Sequence, residues 1–170
     1  VLGLSIKEVE KALKGQKHIW VANHLSEGNI VIAGDKQSVE DIEQTFIDLG
    51  ARTVLLNTSG PFHTPMLNEA ADEFIEHLNA AQFIEPNAII YSNYTSKPYE
   101  NADVAPKLLS KQMSNKVRWH EKMETLIDEG VTEFIEIGPL MLLFKMLNGR
   151  LKEQNVKIKQ INEAVSKMNS

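Results

Sequence analysis

The chain has 170 residues, 42% of them hydrophobic, and a formal net charge of −5, which predicts a globular protein of one domain or of two small subdomains sharing a core. A negative balance without a block of like charges argues against binding nucleic acid through its phosphates. The longest apolar run, Leu140–Phe144, is too short to span a bilayer, and no signal peptide is visible, so we expect a cytoplasmic protein without a membrane partner. The absence of cysteine excludes disulfides, a thiolate nucleophile and cysteine metal ligands.

Residues 1–57 alternate short strand patterns with two amphipathic helices. Ser5 and Glu8 have the spacing of a capping box, which starts a helix that Gly15 ends. Ser38 is expected to cap a second helix that ends at Gly50. The predicted strands cover 1–4, 19–23, 29–33 and 52–56, so the order is βαββαβ, which is typical of a ferredoxin-like subdomain over residues 1–57.

Residues 58–170 read as a second part with longer helices. Thr64 is expected to cap a helix with Pro65 at its first position, running to about residue 81. The pattern then predicts a buried strand over 88–92, helices over 104–114 and 118–129, a strand over 133–137, a buried helix over 140–147 and a strand over 156–161. Strands alternating with helices indicate a mainly parallel α/β sheet.

The five histidines differ in context. His77 and His120 are expected to be solvated helix residues, and His18 and His24 flank a strand with no carboxylate or second histidine at ligand spacing, so no metal site is predicted. His63 directly precedes a predicted helix, whose positive N-terminal end disfavours the imidazolium. A neutral imidazole is the form that a general base needs, which makes His63 a candidate.

A general base needs a nucleophile to activate, and none is evident beside His63. Ser59 lies four residues away but not on a strand–turn–helix elbow that would expose its hydroxyl, and no G-x-S-x-G motif occurs in the chain. The chain begins with Val1 and not with Met, so we expect it to be a piece of a longer protein. If His63 is a base, its serine belongs to sequence that is not present here.

Five ordered blocks resemble the malonyl-CoA:acyl carrier protein transacylase family, which includes the acyltransferases of polyketide synthases. They are VANHLSEGNIVIAG (21–34), NTSGPFHTPML (57–67), IIYSNYTSKPY (89–99), KQMSNKVRWHEKM (111–123) and FIEIGP (134–139). The resemblance implies the C-terminal part of such an enzyme, with the ferredoxin-like subdomain inserted into an α/β-hydrolase-like subdomain of which 58–170 is a part. It also implies transfer of malonyl from malonyl-CoA to the phosphopantetheine thiol of an acyl carrier protein, through a serine in an upstream segment.

The same resemblance implies roles for individual residues. His63 aligns with the histidine that activates the serine, and the backbone carbonyl of Gln112 with the group that orients it. Phe62 resembles the aromatic residue of malonyl-selective members, and Asn23 lies in a block that lines or braces the cleft. No bound cofactor is implied, since malonyl-CoA is a substrate. Without the resemblance, Gln112 would be interpreted as a surface residue at a helix end.

Two departures from the family pattern leave the function open. Leu25 and Glu27 stand where relatives usually carry Asn and Pro, and Leu140–Met141 replace a Gly-Lys pair, as is commoner in free-standing polyketide enzymes than in fatty-acid enzymes. One alternative is an acyl hydrolase that clears carrier proteins, and another is a non-catalytic module that docks on them. Because central strands of the sheet would be missing, we expect exposed strand edges and apolar surface.

Overall fold

The computed structural model describes residues 1–138, 146 and 156–161. The chain divides into two compact units, Val1–Lys122 and Met123–Ser170, and the predicted boundary between residues 57 and 58 lies inside the first unit. Among the described residues, no helix has the length and apolar character needed to cross a membrane. Helices and both antiparallel and parallel strand pairs are present, which confirms the predicted α/β class.

The first unit begins with the helix α1 (Ile6–Leu13), and its predicted capping box is confirmed. The Ser5 N–H donates to Glu8 Oε2 at 2.8 Å, while the Glu8 N–H donates to Ser5 Oγ at 3.4 Å. These bonds satisfy backbone donors that the first turn leaves without helical partners. The helix then buries Val9, which is fully inaccessible to solvent.

The strands β1 (Ile19–Ser26) and β2 (Asn29–Gly34) form an antiparallel hairpin. The pairing register shifts between Val21 and Asn23 and again between His24 and Ser26, so β1 carries two bulges. A bulge removes a residue from the ladder and leaves its backbone groups for other partners. Here Val117 takes them, because its N–H donates to Ala22 O and its carbonyl accepts from His24 N–H, both at 2.9 Å.

The helix α2 (Lys36–Asp48) starts two residues before Ser38, the predicted cap. Asp35 is the N-cap residue, and its Oδ1 accepts the Ser38 N–H at 2.8 Å. The prediction of Ser38 as the cap was therefore wrong, because Asp35 has the extended backbone of a cap and Ser38 already lies in the first turn.

Each of the two outer strands predicted for residues 1–57 is reduced to a single paired residue. Leu2 pairs antiparallel with both Asn29 and Arg52, which gives the lateral order Arg52, Leu2, β2, β1. Gly3 has φ +99°, which is far from the extended backbone of a strand, so the ladder stops there. The strand predicted over 52–56 was wrong beyond its first residue, because no strand in the described part of the chain pairs with the segment after Arg52.

A hydrophobic core lies among α1, α2 and the hairpin. Its buried members are Leu4, Val9, Ile19, Ile30, Ile42, Phe46 and Ala51. Phe46 is fully buried, and replacing a buried phenylalanine with alanine typically costs about 3–5 kcal/mol. This core holds β1 in place, and β1 contributes one wall of the candidate site.

The other regular elements of the first unit are helices. A 3₁₀ turn over Pro65–Leu67 leads into α3 (Asn68–Ala80), and a second over Ala102–Val104 leads into α4 (Ala105–Ser114). The Ser110 hydroxyl of α4 donates to Ala71 O of α3 at 2.7 Å in the interface between them. The helix α5 (Trp119–Asp128) begins in the first unit.

Thr64 is the N-cap residue of the 3₁₀ turn, and Pro65 takes its first position, as predicted. The Thr64 side chain makes no capping bond, since its hydroxyl donates to Pro61 O instead. One prediction for this region was wrong. The predicted buried strand over 88–92 is absent, and Ile89 and Ile90 are 76% and 51% exposed. Tyr91 forms one isolated β-bridge, with Pro98 in the loop that follows. In the described part of the chain, this segment has no extended strand beside it with which to form a ladder.

In the second unit, β3 (Glu133–Ile137) and β4 (Lys157–Ile161) pair in parallel over their full lengths. Both predicted strands and their parallel direction are confirmed. Lys159 and Glu133 form an ion pair at 2.8 Å across the two strands. The helix predicted over 140–147 falls almost entirely outside the described residues.

Candidate functional site

His63 lies in a turn whose backbone is fixed by hydrogen bonds. Its φ of +64° lies in the left-handed region, which few residues other than glycine occupy. The following residue, Thr64, is completely buried, and its hydroxyl donates to Pro61 O at 2.7 Å. The His63 N–H donates to Met113 O at 3.0 Å, so the turn is tied to the last residues of α4.

The imidazole of His63 is held by the same helix end. Its Nδ1 lies 2.8 Å from the backbone carbonyl oxygen of Gln112. The last carbonyls of an α-helix have no partner within the helix, so they are free to accept such bonds. Because a carbonyl can only accept, Nδ1 must carry a proton, and the neutral ring then presents its lone pair on Nε2.

His63 also lines a groove with a volume of about 510 Å³. The other lining residues come from α1 and the segment after it, the start of β1, the 3₁₀ turn before α3, and the end of α4 with the two residues after it: Glu10, Leu13, Lys14, Gln16, Ile19, Trp20, Val21, Pro65, Ser114, Asn115 and Lys116. Lys116 Nζ and Glu10 Oε1 form an ion pair at 3.3 Å within it. The groove therefore joins the histidine to a partly charged surface.

The structure brings together some of the residues singled out in the sequence and not others. His63 and Gln112 are in contact. Phe62 is 49% exposed, Asn23 is paired with Val31 on β2, and neither lines the groove. Ser59 is exposed, and the structure records no hydrogen bond between it and His63.

A polar brace fixes the loop after residue 92 to the start of α5. Arg118 donates to Glu121 and to Thr95 O, and the hydrogen bond to Glu121 raises the pKa of the guanidinium. Lys122 is buried, and its ammonium group donates to Asn93 Oδ1. Burial lowers the pKa of Lys122.

A second polar cluster was missed by the sequence reasoning. His24 is only 3% exposed, and its ring centroid lies 4.6 Å from that of His120. His120 Nε2 lies 3.9 Å from Glu27 Oε2. Burial, followed by the proximity of His120, lowers the pKa of His24. The prediction of a solvated His120 was wrong, because its side chain is only 19% exposed.

No metal site was predicted from the sequence, because no second ligand lies at metal-ligand spacing along the chain from His18 or His24. His24 lies on β1 and His120 on α5, and no local sequence pattern links two residues so far apart. The bulged backbone of β1 brings them together by bonding to Val117, three residues before His120. The departure of Glu27 from the expected pattern of its block was the one signal that pointed to this region.

Comparisons with known proteins were made at the level of sequence and of structure. No family model matches the chain. A polyketide biosynthesis malonyl CoA-acyl carrier protein transacylase, BaeC of Bacillus velezensis, is 34% identical over 158 residues, which cover 91% of this chain and 54% of that protein. The malonyl CoA-acyl carrier protein transacylase of Bacillus subtilis is 35% identical over 167 residues, covering 95% and 51%.

Solved structures agree with these relatives. A type II polyketide synthase malonyl-transacylase in complex with its acyl-carrier protein matches with a TM-score of 0.88 and 28% identity, over 99% of this chain and 55% of that one. The malonyl CoA-acyl carrier protein transacylase of Clostridium perfringens matches with a TM-score of 0.87 and 29% identity, over 99% and 54%. The chain thus spans about half the length of the proteins it matches.

Together, the fold and the site define an α/β protein in which a histidine is anchored at a helix end beside an open groove. The resemblance predicted from the five sequence blocks is confirmed. The chain is homologous to the malonyl-CoA:acyl carrier protein transacylases, which it matches over about half of their length.

Proposed function

We propose that this chain is the C-terminal portion of an acyltransferase that moves malonyl from malonyl-CoA to the phosphopantetheine thiol of an acyl carrier protein. The observation that carries the proposal is the bond between His63 Nδ1 and Gln112 O at 2.8 Å. It leaves Nε2 as the basic nitrogen in a turn whose backbone is held in a rare conformation. Such strained positions cluster at active sites.

In the proposed reaction, His63 Nε2 takes the proton of a serine hydroxyl while the serine oxygen attacks the malonyl thioester. The imidazolium then returns that proton to the departing coenzyme A thiolate, which leaves a malonyl-serine ester. In the second half-reaction, His63 deprotonates the carrier-protein thiol, which attacks the ester. The released serine takes the proton back, so both halves balance without a cofactor.

The serine of this reaction lies in a segment that is not part of this chain. Several aliphatic side chains offer a surface for that segment, because they are at least half exposed where soluble proteins normally bury such groups. In the first unit they include Val54, Leu55, Leu56, Ile84, Ile89 and Ile90. We assign them to contacts with the serine-bearing part.

The same proposal assigns the architecture. Residues 1–57 correspond to a ferredoxin-like subdomain, and residues 58–170 to part of an α/β-hydrolase-like subdomain. The lateral order Arg52, Leu2, β2, β1, with the helices α1 and α2 as the two crossovers, supports the first assignment. The parallel pair of β3 and β4 supports the second.

Substrate and partner follow from the chemistry of the groove. Lys14 offers a positive charge in the groove that His63 lines, which suits the phosphates shared by coenzyme A and phosphopantetheine. Phe62, next to the base, would crowd an α-methyl group, which is worth only about 1–3 kcal/mol and so favours malonyl without excluding methylmalonyl. Asn23 braces the strand that forms one wall of the groove. The structural neighbour in complex with its carrier protein supports the choice of partner.

The test follows malonyl transfer to a carrier protein by intact-mass spectrometry. It compares this chain alone, the chain joined to a serine-bearing N-terminal half from a relative, and the joined protein with His63→Ala. We expect transfer only in the joined protein, with a loss of about 10²–10⁴-fold on removing the base. His77→Ala, on the exposed face of α3, is the matched control and should leave transfer unchanged.

The same experiment separates the alternatives. Transfer by the chain alone would contradict the split arrangement and return attention to Ser59. Release of free malonate without loading of the carrier protein would indicate a hydrolase. Binding of the carrier protein that is unaffected by His63→Ala, with no transfer in any form, would indicate a docking module.

A further inference from the structure

His24 presents an unusual arrangement for a buried imidazole. The residue is 3% exposed, and among the described residues neither Nδ1 nor Nε2 finds a hydrogen-bond partner. Leaving a buried polar atom without a partner costs about 1–3 kcal/mol, so such atoms in folded proteins usually have a function or an unseen ligand. The nitrogens of His24 are therefore available to bind a ligand.

Two further metal-binding side chains meet His24. One donor atom from each of His24, Glu27 and His120 can be chosen so that all three atoms lie within 4.8 Å of one another. We propose that these three residues form a binding site for a divalent transition-metal ion of the zinc type. The proposal is independent of the transfer reaction, because it uses none of the residues assigned to that reaction.

The distances suit a small metal ion. Ligand atoms about 2.0–2.1 Å from a tetrahedral zinc lie roughly 3.4 Å from each other. His120 Nε2 and Glu27 Oε2 are 3.9 Å apart, so a small side-chain rotation would bring them to the spacing of zinc ligands. Glu27 lies in the turn between β1 and β2 and its side chain is 66% exposed, which leaves it free to make that adjustment.

The donor set selects the class of ion. Two imidazoles and one carboxylate match zinc, nickel or cobalt, whereas calcium and magnesium prefer sites made only of oxygen atoms. Three protein ligands leave a fourth position for water, as in open zinc sites. The Glu27 carboxylate would also offset part of the charge of the ion.

One nearby cation is offset by a neighbouring carboxylate. Lys116, which acts on His24, pairs with Glu10 at 3.3 Å. The Glu121 carboxylate, which also acts on His24, accepts hydrogen bonds from Arg118. Glu10 therefore reduces the repulsion that Lys116 would exert on a bound cation.

A metal here would join three elements of the first unit. His24 lies on β1, Glu27 in the hairpin turn and His120 in the first turn of α5. The segment before α5 supplies Lys116 to the groove and bonds to β1 through Val117. The ion would thus brace one wall of the groove, and we expect its binding to stabilise the folded chain.

The test is a metal titration of the chain after removal of metal with a chelator. Isothermal calorimetry with Zn²⁺, and the visible absorption of Co²⁺ in the same protein, should show one ion per chain. Glu27→Gln and His120→Ala should each weaken Zn²⁺ binding by at least about 100-fold, since even outer-shell partners of metal ligands are worth about 10–100-fold. His77→Ala removes an imidazole outside the cluster and should change nothing.

A second readout covers variants that fold poorly. Zn²⁺ should raise the thermal unfolding midpoint of the parent chain and of His77→Ala, but not that of Glu27→Gln, whose exposed side chain can change without disturbing the core. Failure of the parent chain to bind Zn²⁺, or binding that survives in both cluster variants, would overturn the proposal. Neither result bears on malonyl transfer, so the two proposals fail separately.

Discussion

His63 Nδ1 and the backbone carbonyl oxygen of Gln112 are 2.8 Å apart, and this single bond determines which nitrogen of the ring is basic. The adjacent carbonyl, of Met113, accepts the His63 N–H at 3.0 Å. The last two carbonyls before Ser114 therefore hold both the backbone and the ring of one histidine. A helix end, and not a carboxylate, orients the proposed base.

Because Gln112 acts through its main chain, its side chain should be dispensable. We expect Gln112→Ala in the joined transacylase to change the transfer rate by no more than about twofold, as for other substitutions away from packed contacts. Steady-state assay of both half-reactions would measure this, with His63→Ala as the sensitive comparison. A large loss in Gln112→Ala would show that the side chain itself contacts substrate or partner.

Thr64 should matter through its hydroxyl. Thr64→Val keeps the shape but removes the donor to Pro61 O, which we expect to cost about 1–3 kcal/mol in the free energy of unfolding. Because His63 directly precedes Thr64, we also expect the turnover number to fall more than the affinity for malonyl-CoA. Urea unfolding and steady-state kinetics would measure the two effects, and Thr64→Ser should restore both. If the valine and serine variants behave alike, the Thr64 hydroxyl contributes neither to stability nor to turnover.

Asp35 should give α2 a stability that depends on pH. The backbone N–H of Ser38 lowers the pKa of Asp35 below its ordinary value of 3.8. Because this pKa is lower in the folded state, the charged carboxylate stabilises the fold at pH values above the ordinary pKa. This contribution is lost as the pH falls from there through the folded pKa.

The free energy lost on Asp35→Ala should therefore be larger at about pH 6 than at about pH 3, measured by urea unfolding at both. Asp72→Ala, on an exposed turn of α3, serves as the control and should have little effect at either pH. A difference for Asp35→Ala that grows in acid would contradict the sign worked out from its N-cap bond.

The exposed aliphatic side chains should make the isolated chain associate with itself. Leu55 is 83% exposed and Ile89 is 76% exposed, and both belong to segments with strand-like sequence. We expect Leu55→Lys and Ile89→Lys to reduce aggregation of the chain alone, as measured by light scattering. Asn79→Lys adds the same charge at an exposed position of α3 and should not help. A parent chain that is already monodisperse would contradict this prediction.

The helices could be predicted because their signals are local. Ser5 with Glu8 starts α1, and Gly130, with φ +92°, directly follows the helix predicted over 118–129. Each such boundary depends on hydrogen bonds within one or two turns, so neighbouring residues suffice to indicate it. The relationship to the transacylases could also be seen in the sequence, because it rests on ordered blocks of residues that can be read without knowing their contacts.

The sequence by itself thus determined the helices, the α/β class, the relationship to the malonyl transacylases and the candidate His63. The tertiary structure alone decided that residues 53–56 and 88–92 form no strands and that His24 meets His120. A strand needs a partner distant in sequence, and a cluster of side chains needs several elements to pack together. Neither condition leaves a periodic pattern in the chain, so only the packed structure reveals it.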